Sequence, residues 1–155
     1  MNILRRNVLK GAGAAGAVSV AMAAGLLKPT AALAGWNMSG FESRDLGVSM
    51  GAIGAGSATP SSEVVVKAPD IAENGAVVPV EITSNVAGTD SICILSEKNT
   101  IPLIAVFNLS NGAEGFISTR IKMGATSNVI AVVKAGGKVY KAHKEVKVTI
   151  GGCGG

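Results

Sequence analysis

From Glu63 onward the chain alternates short apolar, β-branched runs with glycine, proline and asparagine. "EVVVKA" stops at Pro69, and "AVVPVEITS" follows the turn "ENG". "DSICILS", "IPLIAVFNLS", "GFISTRIKM" and "NVIAVVKA" come next. "GG" at 136–137 predicts a hairpin turn, and "KVYKAHKEVKVTI" closes the series. About seven strands in roughly 90 residues, with turn signals every 8–12 residues, predict an antiparallel β-sandwich over residues 63–150. The last strand alternates: Val146, Val148 and Ile150 face one way, Lys147 and Thr149 the other. No strand–helix–strand unit is visible, which excludes a nucleotide-binding α/β fold.

Residues 35–62 split in two. Ser39 and Glu42 have capping-box spacing, and Leu46, Met50 and Ile53 follow at helical intervals. They predict a short helix, weakened by Gly47 and Gly51. "GAGSATPSS" reads as a linker. Residues 1–34 have the three parts of an export signal. Arg5, Arg6 and Lys10 form a basic start, Gly11 to Leu27 is uncharged and weakly apolar, and Ala32-Leu33-Ala34 is a cleavage motif. Cleavage after Ala34 makes Gly35 the first mature residue. The Arg5-Arg6 pair, the mild hydrophobicity and Lys28 near the cleavage point favour the twin-arginine route. The apolar stretch is too short and too rich in Gly and Ala for a stable membrane anchor.

Losing the signal changes the charge. The full chain carries 14 basic and 10 acidic residues, net +4. Arg5, Arg6, Lys10 and Lys28 leave with the signal, so 14 − 4 = 10 basic residues balance 10 acids in the mature chain. A nucleic-acid partner needs a basic footprint, and the mature chain lacks one. One Trp, one Tyr and three Phe give no base-stacking platform either.

Candidate chemistry is sparse. His143 is the single histidine and sits between lysines, so no metal-ligand set can be assembled around it. Asp70 and Glu73 flank a turn and read as surface residues. No S-x-x-K arrangement is present, and the letters of G-x-S-x-G occur once, as "GVSMG" at 47–51, within the predicted helix. Lys134, Lys138, Lys141, Lys144 and Lys147 form a basic run that reads as a solvated strand face, with a docking surface as the sharper alternative. No cofactor is called for.

The exception is the end of the chain, "VKVTIGGCGG". Cys153 stands between Gly151-Gly152 and Gly154-Gly155, with no Lys, Arg or His in the last five residues. Nothing local lowers the thiol pKa, so this is a poor self-activated nucleophile. Glycines give the tail a thin cross-section and a free backbone. Fully extended, three residues past Ile150 place the thiol roughly 10 Å beyond the last strand. That geometry fits a swinging arm that carries covalent cargo into narrow sites on other proteins.

"TIGGCGG", "APDIAENGAVVPVEI", "EKNTIPLIAVFNL", "STRIKM", "SNVIAVVKAGGKVY" and "KEVKVTIGGCGG" together resemble, in order, segments of the SoxY family. These are sulfur-compound carriers of the periplasmic thiosulfate-oxidising Sox system. The resemblance covers essentially the whole mature chain. It implies an immunoglobulin-like sandwich with a C-terminal arm, paired in a heterodimer with a second small β-protein, SoxZ. It implies Cys153 as the covalent attachment point and Gly151, Gly152, Gly154 and Gly155 as the arm. It implies a c-type haem enzyme that links thiosulfate oxidatively to the thiol, a hydrolase that releases sulfate, and further enzymes that process the sulfane sulfur. The chain itself is then a carrier and not an enzyme. Two arms could also oxidise to a reversible Cys153–Cys153 dimer. Cys93 departs from the family pattern; it reads as a buried strand residue between Ile92 and Ile94, the alternative being an off-path disulfide partner. Three other function classes compete, of which a secreted thiol oxidoreductase should show C-x-x-C or a thiol-activating base, and neither is present. A ubiquitin-like carrier would use a C-terminal thiocarboxylate on Gly155, and a structural sandwich module would have no use for the tail.

Overall fold

The computed structural model describes residues 38–110 and 112–149, so the expected signal, Ile150 and the expected arm lie outside the described residues. Among the described residues two short helices, α1 (Met38–Glu42) and α2 (Leu46–Ala52), precede nine strands. The strands are β1 (Thr59–Pro60), β2 (Val64–Lys67), β3 (Ile71–Ala72), β4 (Val78–Ser84), β5 (Thr89–Ser96), β6 (Leu103–Asn108), β7 (Phe116–Ile121), β8 (Ser127–Ala135) and β9 (Lys138–Val148). They form two sheets. The larger runs β1-β9-β8-β5-β6, with β3 also on β9, and the smaller runs β2-β4-β7. The pairings β9–β8, β8–β5, β5–β6, β2–β4 and β4–β7 are antiparallel.

The seven long strands coincide with the seven apolar runs. Period-2 patterning places one face of each inward. Val78, Val80 and Ile82 of β4, Val64 of β2 and Ile121 of β7 meet Ile92 and Ile94 of β5 and Val129, Ala131 and Val133 of β8 in one buried cluster. This apolar layer joins the two sheets and supplies the main driving force for folding. The β8–β9 hairpin closes through Gly136 and Gly137, at φ 55 and 76. Two successive positive φ values are what a tight hairpin turn demands, and glycine adopts them without strain. β1 and β3, two residues each, pair parallel with β9 and were not foreseen. Two residues carry no periodicity.

The expected single helix is two. Residues 38–42 are already helical, so Ser39 lies inside α1 and does not cap it. Ser43 Oγ accepts from the Asp45 N–H and donates to the Asp45 carbonyl, both at 3.1 Å, offering the backbone a local alternative to helix. Asp45 is the N-cap of α2, its carboxylate accepting from the Val48 N–H at 2.8 Å. The stretch 54–62, read by composition as a linker, lies on the sheet. Ala55 and Ala58 are buried, β1 joins the ladder, and the Ser61 N–H donates to the Lys141 carbonyl at 3.1 Å.

This N-terminal segment covers the other face of the large sheet. Ile53, Ala55 and Ala58, with Phe41, Leu46 and Met50 packed alongside, form a second cluster with Leu95, Leu103, Val132 and Cys93. Ile92 and Ile94 point into the inter-sheet core and Cys93 into this outer cluster, so both faces of β5 are buried. Cys93 has 0% exposure. Burial pushes its thiol pKa up, against smaller opposing effects of a hydrogen bond with Ser91 and the charge of Lys134.

Two outcomes follow from this packing. Ile94→Ala costs about 2–5 kcal/mol in denaturant unfolding, whereas Ile71→Ala, on a side chain 58% exposed, stays within about 0.5 kcal/mol. Cys93 stays unlabelled by thiol reagents in the native protein and is labelled after unfolding. Its pH linkage has a definite sign. Above the ordinary value of 9.0 the unfolded thiol ionises while the folded one stays protonated. Stability present below that pH is therefore lost as pH rises. Cys93→Ala reduces this alkaline loss in pH-dependent unfolding curves.

Candidate functional site

The expected arm, residues 151–155, follows β9 in sequence, and the chain is pinned at the end of that strand. β9 has eleven residues and pairs with β8 along most of its length. At its far end β3 takes over on the other flank, Ile71 opposite Lys147 and Ala72 opposite Val148. The Lys147 N–H donates to the Asp70 carbonyl at 2.9 Å, and the Thr149 N–H to the Ala72 carbonyl at 3.1 Å. From the opposite side Thr126 Oγ1 accepts from the Val148 N–H at 2.9 Å. Gly75 packs under this end. A Cβ there would meet the Met123 carbonyl oxygen at 2.5 Å and Val148 Cγ1 at 2.8 Å, so only glycine fits without a shift. Thr149, two residues before Gly151 in sequence, is thus still fixed to the body of the protein.

The clamp residues Asp70, Ala72, Gly75 and Thr126 were not singled out from the sequence as functional. Gly75 was visible only as part of the turn "ENG". Thr126 left no signal, because a hydroxyl that caps a distant strand shows no local pattern. Asp70 has a further contact, an ion pair with Lys144 at 3.0 Å. The Asp70 side chain is 89% exposed, so this pair adds at most about 1 kcal/mol. Two exposed apolar side chains, Ile71 and Val77, flank the same end.

Cys153, the expected attachment residue, and the glycines 151, 152, 154 and 155 lie outside the described residues, as do Arg5, Arg6, Ala34 and Gly35. Chain geometry still separates the two thiols. Cys93 pairs with Val132, and Val132 with Lys141, so Cys93 sits level with Lys141 on the sheet. Lys141 to Thr149 is eight residues, about 26 Å of strand. Thr149 to Cys153 is four residues, at most about 14 Å of chain. Within one folded molecule the arm cannot reach Cys93, and the off-path disulfide drops out.

The lysine run does not make one face. Lys134 and Lys141 lie opposite Val139 and Val132, on the helix-covered side. Lys144 lies opposite Val129, on the other side, and pairs with Asp70. Alternation along β9 splits the run. His143 lines a groove of about 600 Å³ with Lys141 between α2 and the sheet, away from the arm's root. Among the described residues no three His, Cys, Asp or Glu side chains gather to hold a metal ion.

Comparison with known proteins bears on this arrangement. A family model described as "Sulfur oxidation protein SoxY" matches residues 50–153, a span that includes β9, its clamp and Cys153. No curated protein matches the chain. The solved sulfur carrier protein SoxY from Chlorobium limicola f thiosulfatophilum is 42% identical, over 64% of this chain and 92% of its own, with a TM-score of 0.57. A structure of the bacterial superantigen toxic shock syndrome toxin-1 matches at 12% identity over 56% of this chain and 99% of its own, with a TM-score of 0.41. With two-thirds of its length matched by the family model and a relative of this identity aligned over nearly its full length, the chain belongs to the SoxY family of sulfur-oxidation proteins.

Proposed function

We propose that this protein is a covalent carrier of sulfur intermediates, with Cys153 as the attachment point and the flanking glycines as a swinging arm. The observation that carries the reading is the fixed root. β9 is held to Thr149 by partners on both flanks, and the sequence after Ile150 reads Gly-Gly-Cys-Gly-Gly. Membership of the SoxY family supports the sulfur-carrier role. The strand order supports the immunoglobulin-like reading of the fold. β2-β4-β7 against β9-β8-β5-β6 follows the order of strands A, B and E against G, F, C and C′.

In the proposed cycle the Cys153 thiol and thiosulfate lose two electrons and a proton, and a sulfur–sulfur bond forms between them. The electrons pass to a c-type haem enzyme. Water then cleaves the terminal sulfonate as sulfate, leaving a persulfide on the arm for the enzymes that process sulfane sulfur. Export through the twin-arginine route, cleavage after Ala34 and a periplasmic location belong to the same proposal. So does a stable heterodimer with SoxZ. A carrier must present one reactive thiol and no competing one. The burial of Cys93 meets that need.

Peptide mapping of protein isolated from thiosulfate-grown cells tests the assignment. Reducible mass increments of thiosulfonate and persulfide size map to the C-terminal peptide, and Cys153→Ser abolishes them. Increments confined to Cys93, or a thiocarboxylate on Gly155, would contradict it. Full function after deletion of residues 151–155 would favour the structural-module alternative.

A further inference from the structure

β9 outruns β8. The β8–β9 ladder stops at the pair Ser127–Val146, yet β9 continues to Val148. Past that pair, successive backbone groups point to alternate flanks. The Lys147 and Thr149 N–H groups donate to the Asp70 and Ala72 carbonyls, on the β3 side. The backbone groups of Val148 therefore face the other side, where the β8 ladder has ended. A side chain takes the place of a strand there. Thr126 Oγ1 accepts from the Val148 N–H at 2.9 Å and donates to the Val148 carbonyl at 3.4 Å. A hydroxyl both accepts and donates, so one threonine serves both groups as a further ladder residue would.

Thr126 is itself held. It ends the loop between β7 and β8, which is tied at three points. The Met123 N–H donates to the Gly75 carbonyl at 2.7 Å, the Gly124 N–H to Asn99 Oδ1 at 2.9 Å, and Asn99 Nδ2 to the Lys122 carbonyl at 2.7 Å. Met123 is also buried in the inter-sheet core. The hydroxyl is thus presented to Val148 from a fixed loop. The β3 flank is the weaker hold. β3 has two residues, and the Ile71 side chain is exposed. Without the Thr126 bond, Val146 is the last residue of β9 with a partner in β8, three residues before Thr149. A strand end held from one side opens locally at low cost.

We infer that Thr126 is a positioning residue that sets where the arm begins. With its hydroxyl in place, four residues separate the last anchored position from Cys153, at most about 14 Å of chain. Without it the root falls back toward Val146, seven residues and at most about 24 Å from Cys153. The inference rests on the carrier reading above and deepens it: a side chain on the β7–β8 loop limits how far the cargo reaches.

The test follows mass at Cys153 of the full mature chain in extracts of thiosulfate-grown cells, with hydrogen exchange on the purified protein. Thr126→Val removes the hydroxyl at nearly the same shape. It speeds amide exchange at Val148 and Thr149 about fivefold, the worth of one hydrogen bond. Thr126→Ser keeps the wild-type rates. The sharper comparison uses a chain lacking Gly151 and Gly152, short by about 7 Å. Adding Thr126→Val to that chain raises loading of Cys153 at least about fivefold, because residues released at the root replace those deleted. Adding Thr126→Ser does not. A hydroxyl that merely stabilised the sheet would give no such rescue. Thr126→Ala carries the same comparison if the valine variant does not fold. Unchanged exchange in Thr126→Val, or a shortened chain that it fails to rescue while wild type still loads, would overturn the inference. Wild type that is never loaded at Cys153 would instead defeat the carrier reading, and this inference with it.

Discussion

The structure depends on the pinning of β9. An arm works as a carrier only if one end is free and the other is not. Pairing with β8 fixes β9 along its length, and β3 and Thr126 fix its last residues. Most of these contacts are backbone hydrogen bonds, and they add cooperatively to a sheet already buried on its inner face. The inter-sheet core makes the pinning rigid. Val146, in β9, belongs to the same buried cluster as Val80 and Ile92. Motion at the root would require disturbing that cluster.

The rest of the molecule can be understood as removing competitors to one thiol. The second thiol lies under α1 and α2 and the residues that follow, and chain length keeps it beyond the arm's reach. The lysines of β8 and β9 are spread over two faces, and among the described residues no three His, Cys, Asp or Glu side chains gather to hold a metal ion. Tethering a small reactive intermediate raises its effective concentration at each enzyme and limits its loss. Under the proposed carrier role, activation of the Cys153 thiol is left to the site it enters.

Much of this was legible in the sequence. Period-2 runs such as "AVVPVEITS" and "NVIAVVKA" marked the long strands, and Gly136-Gly137 marked the hairpin. Such signals are local, set by alternation and by the φ that glycine allows. Cys93 was readable as buried from its apolar neighbours. What lay hidden was non-local. The two-residue strands β1 and β3 exist only because β9 offers them an edge. Capping by Asp45, where Ser39 had the expected spacing, turned on the competition of Ser43 for the backbone. "GAGSATPSS" has a linker's composition, yet Ala55 and Ala58 pack because small side chains let the backbone lie flat on the sheet. The lysine run looked like one face until register divided it.

The most direct measurement shortens the arm without touching its thiol. Deleting Gly151 and Gly152 removes about 7 Å of reach. The account predicts that a small thiol reagent labels Cys153 in this variant at the wild-type rate, while loading by the thiosulfate-conjugating enzyme falls to the level of Cys153→Ser. Enzymatic loading at the wild-type rate on the shortened arm would contradict the account.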